Sequence, residues 1–209
     1  MANGATDSIA PFFTIWTEPR ATIRRIVDTD PTRHTLALAA LAPALATLES
    51  QWSKAIGNSG NISALWPIGV VFAVAAAAVF GIGVLYLNGV VLRWSSGLLG
   101  GTATRTEVRA AITWSQVPSI VAGAITIAAL LTGAIVPPTA GAGGSLKASP
   151  QLIELGLLNG ILAIWGFVIS LKCLGEVNRF SAWRALGAVL IPLVILVVVI
   201  VVIARLVAR

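Results

Sequence analysis

Long unbroken apolar blocks constrain this chain more than any other feature. The last of them, Ala185 to Ala204, holds Leu190-Ile191-Pro192-Leu193 and then an almost pure valine and isoleucine run. In water, so many β-branched residues would suit a strand. In lipid, an open strand leaves backbone N–H and C=O groups unpaired, so such a block takes the helical form. Pro192 is expected to bend that helix or to lie near its first turns.

A hydrocarbon core of about 30 Å needs about 20 helical residues to cross it. Five blocks approach or exceed that length, at about 35–52, 65–92, 110–136, 152–174 and 185–204. The first is the weakest. Thr35 to Leu48 is short and contains Pro43, and extending it to Trp52 places Glu49 at the interface. The expected fold is therefore all-α: a polytopic integral membrane helical bundle of five transmembrane helices over residues 34–209. A cytoplasmic N-terminal segment, residues 1–33, precedes it. Met1 to Ser8 lack the basic start of a secretory signal, and no cleavage pattern follows the short Ile9–Trp16 run.

Charge supports this reading and gives it a direction. Only 11% of residues are charged, against roughly 25% in a soluble domain. The net charge of +6 would suggest nucleic acid in a soluble protein. Here the basic residues sit at the ends of apolar blocks, where they set topology and meet anionic headgroups. No basic patch with interleaved aromatics is present to stack bases. The expected partners are membrane lipids and not nucleic acid.

With five spans, ten basic residues fall on the side of the N-terminus, among them Arg20, Arg24, Arg25, Arg33, Arg93, Arg105 and Arg109. The other side holds four: Lys54, Lys147, Arg205 and Arg209. If the first block does not cross, the split becomes eight against six and the asymmetry collapses. The positive-inside rule thus favours five spans, with the N-terminus in the cytoplasm and the C-terminus across the membrane. Trp52, Trp66, Trp94, Trp114 and Trp183 fall near span ends, where indole buries its ring and keeps its N–H wet. Trp165 lies inside the fourth span. The connections are marked by Gly57-Asn58-Ser59-Gly60-Asn61, by Ser95 to Thr104, by Pro137 to Pro150 and by Gly175 to Trp183.

Little catalytic chemistry is on offer. One histidine, His34, and one cysteine, Cys173, with no acidic cluster inside a span, do not make a metal site. His34 reads as an interfacial boundary residue and Cys173 as a small packing residue. Ser96-Gly97-Leu98-Leu99-Gly100-Gly101 lacks the Gly-Lys-Ser/Thr ending of a phosphate loop. No ionisable residue lies near the middle of a span, which argues against a charged-substrate transporter. Asn88 and Asn159 are the polar side chains left for a neutral path. For a membrane enzyme, the one polar cluster on offer is Glu107, Arg109, Glu176, Arg179 and Arg184. No enzyme activity and no cofactor are expected.

Small residues are plentiful instead. Gly69, Ala73, Ala77 and Gly81 recur every four residues along the second span, and Gly156 and Gly160 form a Gly-x-x-x-Gly in the fourth. Such faces let helices approach closely in lipid, so these six are the helix-packing candidates. Before the first span, Pro19 opens a short helix. Its Ile23, Ile26 and Val27 face away from Arg24, Arg25 and Asp28, a basic amphipathic pattern suited to a cytoplasmic interface. Arg24 and Arg25, with Glu107, Arg109, Glu176, Arg179 and Arg184, are the cytoplasmic interaction candidates.

Two stretches carry a family resemblance. Arg109-Ala110-Ala111-Ile112-Thr113-Trp114-Ser115-Gln116-Val117-Pro118 resembles the "alanine, aromatic, small, x, x, proline" start of a helix in the Yip family, the Ypt-interacting membrane proteins. Leu171 to Ala185, with Gly175-Glu176-Val177-Asn178-Arg179, resembles the loop that bacterial members place before their last helix, and Glu18-Pro19-Arg20-Ala21-Thr22 fits the lead into the first. The resemblance implies a five-helix membrane domain with a cytoplasmic N-terminus. Eukaryotic members are linked to Rab-type GTPases and vesicle traffic. Their Asp-Leu-Tyr-Gly-Pro motif is absent here, so no functional residue carries over. Eleven arginines against three lysines fit a high-GC bacterium and hence its inner membrane. The expected role is a non-enzymatic membrane scaffold or adaptor, as a homo-oligomer or with other membrane proteins, in membrane organisation or trafficking. The alternative is a channel or transporter for a neutral or lipidic solute.

Overall fold

The structure, a computed structural model, describes residues 10–57, 64–133 and 150–207. Met1 to Ser8, the Asn58–Asn61 turn, residues 134–136 of the third expected span, the Pro137 connection as far as residue 149 with its Lys147, and Arg209 lie outside the described residues.

A helical turn at residues 10–14 leads into α1 (Pro19–Thr29), α2 (Thr35–Gly57), α3 (Trp66–Leu98), α4 (Arg105–Trp114), α5 (Val117–Leu131), α6 (Pro150–Val177) and α7 (Ala182–Val207). No strand occurs among the described residues. Trp66–Leu98, Arg105–Leu131, Ile153–Val177 and Ala182–Leu206 are each long and apolar enough to cross a membrane. α2, with 23 residues, reaches about 35 Å at 1.5 Å per residue. Its second half carries Glu49, Ser50, Gln51, Ser53 and Lys54, so it has the length but not the apolarity of the other four. Between α4 and α5, Ser115 and Gln116 form a turn. Pro118 follows at the start of α5, where a missing N–H breaks no helical bond.

The chain forms two compact units. The first comprises Met1–Thr35, Leu85–Ser115 and Val168–Arg209. In it α1 packs against α4, and Ile15, Ile23, Val108, Trp114 and Leu174 are almost wholly buried. The isoleucine stripe of α1, whose pattern suits a lipid surface, is covered by the protein itself. Each such side chain contributes about 1.5–3 kcal/mol relative to exposure.

Two helix ends of this unit close in the same way. At the end of α3, Gly100 adopts φ +82°, Gly101 N donates to Ser96 O at 2.8 Å and Gly100 N to Gly97 O at 3.1 Å. At the end of α6, Arg179 adopts φ +57°, Phe180 N donates to Gly175 O at 2.9 Å and Arg179 N to Glu176 O at 3.1 Å. Both are Schellman caps, in which a left-handed residue lets the chain satisfy the last carbonyls. The two ends touch: a Cβ on Gly101 would run into Asn178 Oδ1 and come within 2.9 Å of Ser96 O.

The second unit comprises Leu36–Val84 and Gln116–Phe167. Here Gly81 of α3 lies against the Ala39 carbonyl and the Pro43 ring of α2, leaving no room for a Cβ. Gly123 of α5 faces Leu45. Asn159 of α6 donates from Nδ2 to Thr126 Oγ1 of α5 at 3.1 Å. Trp52 and Trp66 approach with ring centroids 5.9 Å apart.

The tryptophans divide. Trp94 and Trp183 are exposed, as span-end indoles are expected to be, but Trp114 is only 1% exposed. Phe12 stacks obliquely on it at 4.8 Å, and His34 stands edge-on at 6.2 Å. The N-terminal segment that covers its ring is 80 or more residues away in sequence.

Candidate functional site

The interaction candidates all fall in the first unit. Arg24 donates from Nε and Nη2 to Glu176 Oε1 at 3.2 and 3.0 Å, and from Nη2 to the Glu176 carbonyl at 2.7 Å. The pair is about a third exposed, at 32% and 27%. Exposed ion pairs are worth about 0.2–1 kcal/mol, so this one orients α1 on the end of α6 more than it stabilises the fold. Glu107 closes a capping box at the start of α4: Thr104 N donates to its Oε2 at 2.5 Å, and Glu107 N donates to Thr104 Oγ1 at 3.3 Å. The Arg109 guanidinium lies 4.5 Å from the Tyr86 ring centroid, a cation–π contact. Arg179 forms the left-handed cap of α6, and Arg184 N donates to Ser181 Oγ at 3.4 Å. Apart from Arg109, these residues act at helix ends. Among the described residues no three His, Cys, Asp or Glu side chains gather to hold a metal ion.

Arg25 behaves differently from its neighbour. It borders a cavity of about 140 Å³ in the first unit, lined also by Thr22, Ile26, Asp30, Arg33, His34 and Trp114. The indole Nε1 of Trp114 is buried and has no hydrogen-bond partner among the described residues. Arg33 Nε donates to His34 Nε2 at 3.3 Å. Asp30 Oδ1 accepts from Thr32 Oγ1 at 2.6 Å and from Thr32 N at 2.9 Å. Those two bonds, the hydroxyl first, hold the exposed Asp30 carboxyl below its ordinary range, so it is charged at neutral pH.

The second unit has its own cavity, of about 310 Å³, lined by Ala42, Leu45, Glu49, Ser119, Asn159 and Ala163 among others. Asn159 Oδ1 is buried and has no hydrogen-bond partner among the described residues. Asn88 belongs to the first unit and is not among the residues lining it.

The small-residue candidates separate sharply. Gly81 is in tight contact with α2, and Ala73 and Ala77 are half-buried. Among the described residues, a Cβ built on Gly69, Gly156 or Gly160 meets no atom within 4 Å. Around Gly156 and Gly160, Ile153, Leu157 and Ile161 are 54–64% exposed. Sequence spacing could not separate these cases, because all lie in helices that are apolar nearly all round. The buried indole and the cavity beneath α1 also escaped sequence reasoning. Their one signal is the pair Arg25 and Arg33, which brackets Asp28 and Asp30 and is followed by the lone histidine.

A family model described as the Yip1 domain matches residues 13–203. No curated protein and no solved structure matches the chain.

Proposed function

Because this chain belongs to the Yip1-domain family of membrane proteins, we propose that it is a non-enzymatic membrane scaffold or adaptor of bacterial type, acting through helix-to-helix assembly in the inner membrane. The observation that supports this reading is the open face of α6. Gly156 and Gly160 present a backbone that no described residue covers, flanked by exposed Ile153, Leu157 and Ile161. In lipid, close approach at such a face is a source of helix association. A second copy of the chain or another membrane protein fits there.

Gly156→Leu and Gly160→Leu make the test, since their sites have room within the chain. Tagged protein purified in mild detergent at native expression is expected to carry a stable oligomer or partner. The double variant is expected to lose it while keeping the same helical content. A wild-type chain that elutes as a bare monomer counts against the proposal, as does a variant that assembles unchanged.

We further propose that α2 crosses as a fifth span, packed through Ala39 and Pro43 against Gly81 of α3, with the N-terminus cytoplasmic and the C-terminus opposite. The skewed distribution of arginine supports this orientation. Reporters on the two ends are expected to answer from opposite compartments. The same compartment for both would leave the four strongly apolar helices as the spans.

The cavity at Asn159 favours one rival reading, a path for a neutral or lipidic solute. Flux through reconstituted vesicles that Asn159→Leu abolishes would replace the adaptor with a transporter.

A further inference from the structure

We propose that the depression between α1 and the end of α4 is a binding site for a phosphate group, carried either by a phospholipid headgroup or by a free phosphate. Its volume of about 140 Å³ is well above the about 10–15 Å³ that one water needs. Arg25, Arg33 and His34 line it on the solvent side and Trp114 from within. Arg24 is consumed by Glu176. Arg25, by contrast, makes no ion pair among the described residues, and the hydrogen bond it contributes is from its backbone carbonyl, which accepts from Thr29. The two adjacent arginines therefore do different work, one fixing α1 and one facing the cavity.

The second observation is the indole. A buried polar group without a partner is unfavourable by about 1–3 kcal/mol, and Trp114 Nε1 is such a donor, on a residue 1% exposed. Indole N–H can only donate, so what completes it must accept. The two guanidiniums suit the oxygens of a phosphate, and the indole beside them has an N–H without a partner among the described residues. One group opposes this. Asp30 is also on the rim and is charged, but Thr32 occupies its Oδ1 from two sides. Arg25 and Arg33 set two positive charges on the rim against this one negative.

The test uses the full chain in neutral detergent and needs no partner protein, so it can fail independently of the adaptor reading. Native mass spectrometry would count retained phosphatidylglycerol and phosphatidylcholine, and calorimetry would follow inorganic phosphate. The compared proteins are wild type, Arg25→Gln with Arg33→Gln, Trp114→Phe, and a control with Arg20→Gln and Arg105→Gln. The pocket double variant is expected to bind at least tenfold more weakly and Trp114→Phe several-fold more weakly, with the control unchanged. Saturable retention of phosphatidylglycerol without inorganic phosphate binding assigns the headgroup as the source, and the reverse assigns free phosphate. The proposal is overturned if neither ligand binds, if the pocket variants bind like wild type, or if the control loses as much as they do. The last outcome would mean a diffuse basic surface and no site. Trp114→Phe keeps an aromatic ring at the site while removing the N–H, so it tests the N–H even if the arginine variant folds poorly.

Discussion

Trp114→Ala is expected to lower stability by about 3–5 kcal/mol, the range for removing a large buried aromatic side chain. The ring is buried in the first unit, touched by Phe12 and His34 from the N-terminal segment and carried by α4. Removing it leaves α1 and the turn before it without the surface they close on. The shortfall should show in dodecyl sulfate titrations of mixed micelles followed by circular dichroism. Trp114→Phe is expected to lose only a fraction as much, because the gap it leaves is small. Trp183→Ala, at a residue 81% exposed, should change stability by about 0.5 kcal/mol or less. If Trp114→Ala came within about 1 kcal/mol of wild type, the described core of this unit would be wrong.

Gly81→Leu is the second large effect. Even a Cβ there would overlap the Ala39 carbonyl and the Pro43 ring, and neither backbone nor proline ring can swing aside. Overpacking a filled contact typically destabilises by about 1–3 kcal/mol, and more when backbone must shift. The expected result is α2 forced off α3, read as a drop in the unfolding midpoint of at least that size. Gly83→Leu supplies the comparison from the same helix. Its added Cβ meets nothing within 4 Å, so it should leave the midpoint unchanged. Equal behaviour of the two variants would contradict the contact.

The apolar blocks made the long helices legible, because a run that cannot be hydrated or left as an open strand has one backbone solution. The third block, read as one stretch over 110–136, divides at Ser115-Gln116 into α4 and α5, and the Thr104–Glu107 capping box is a feature that apolar patterning does not announce. Glu107 stands among the interaction candidates, since spacing alone does not tell a capping carboxylate from a docking one. The ion pair of Arg24 with Glu176 spans 152 residues, and no local pattern announces a partner at that distance. Trp114 was unreadable for a related reason. An indole at the end of an apolar block ordinarily stays wet, and what dries this one is supplied by Phe12 and His34. The glycines were the hardest case. Gly81 and Gly156 sit in similar surroundings in sequence, yet one is pressed against a neighbouring helix and the other is open.

Cys173 is the one cysteine of the chain, and it is wholly buried, its Sγ 3.6 Å from the Pro19 carbonyl. A maleimide cannot reach it while α1 is seated. The native protein is therefore already a silent background for thiol mapping, and engineered cysteines can be introduced one at a time without replacing it. Any label that does appear on Cys173 is a timer for α1 lifting away.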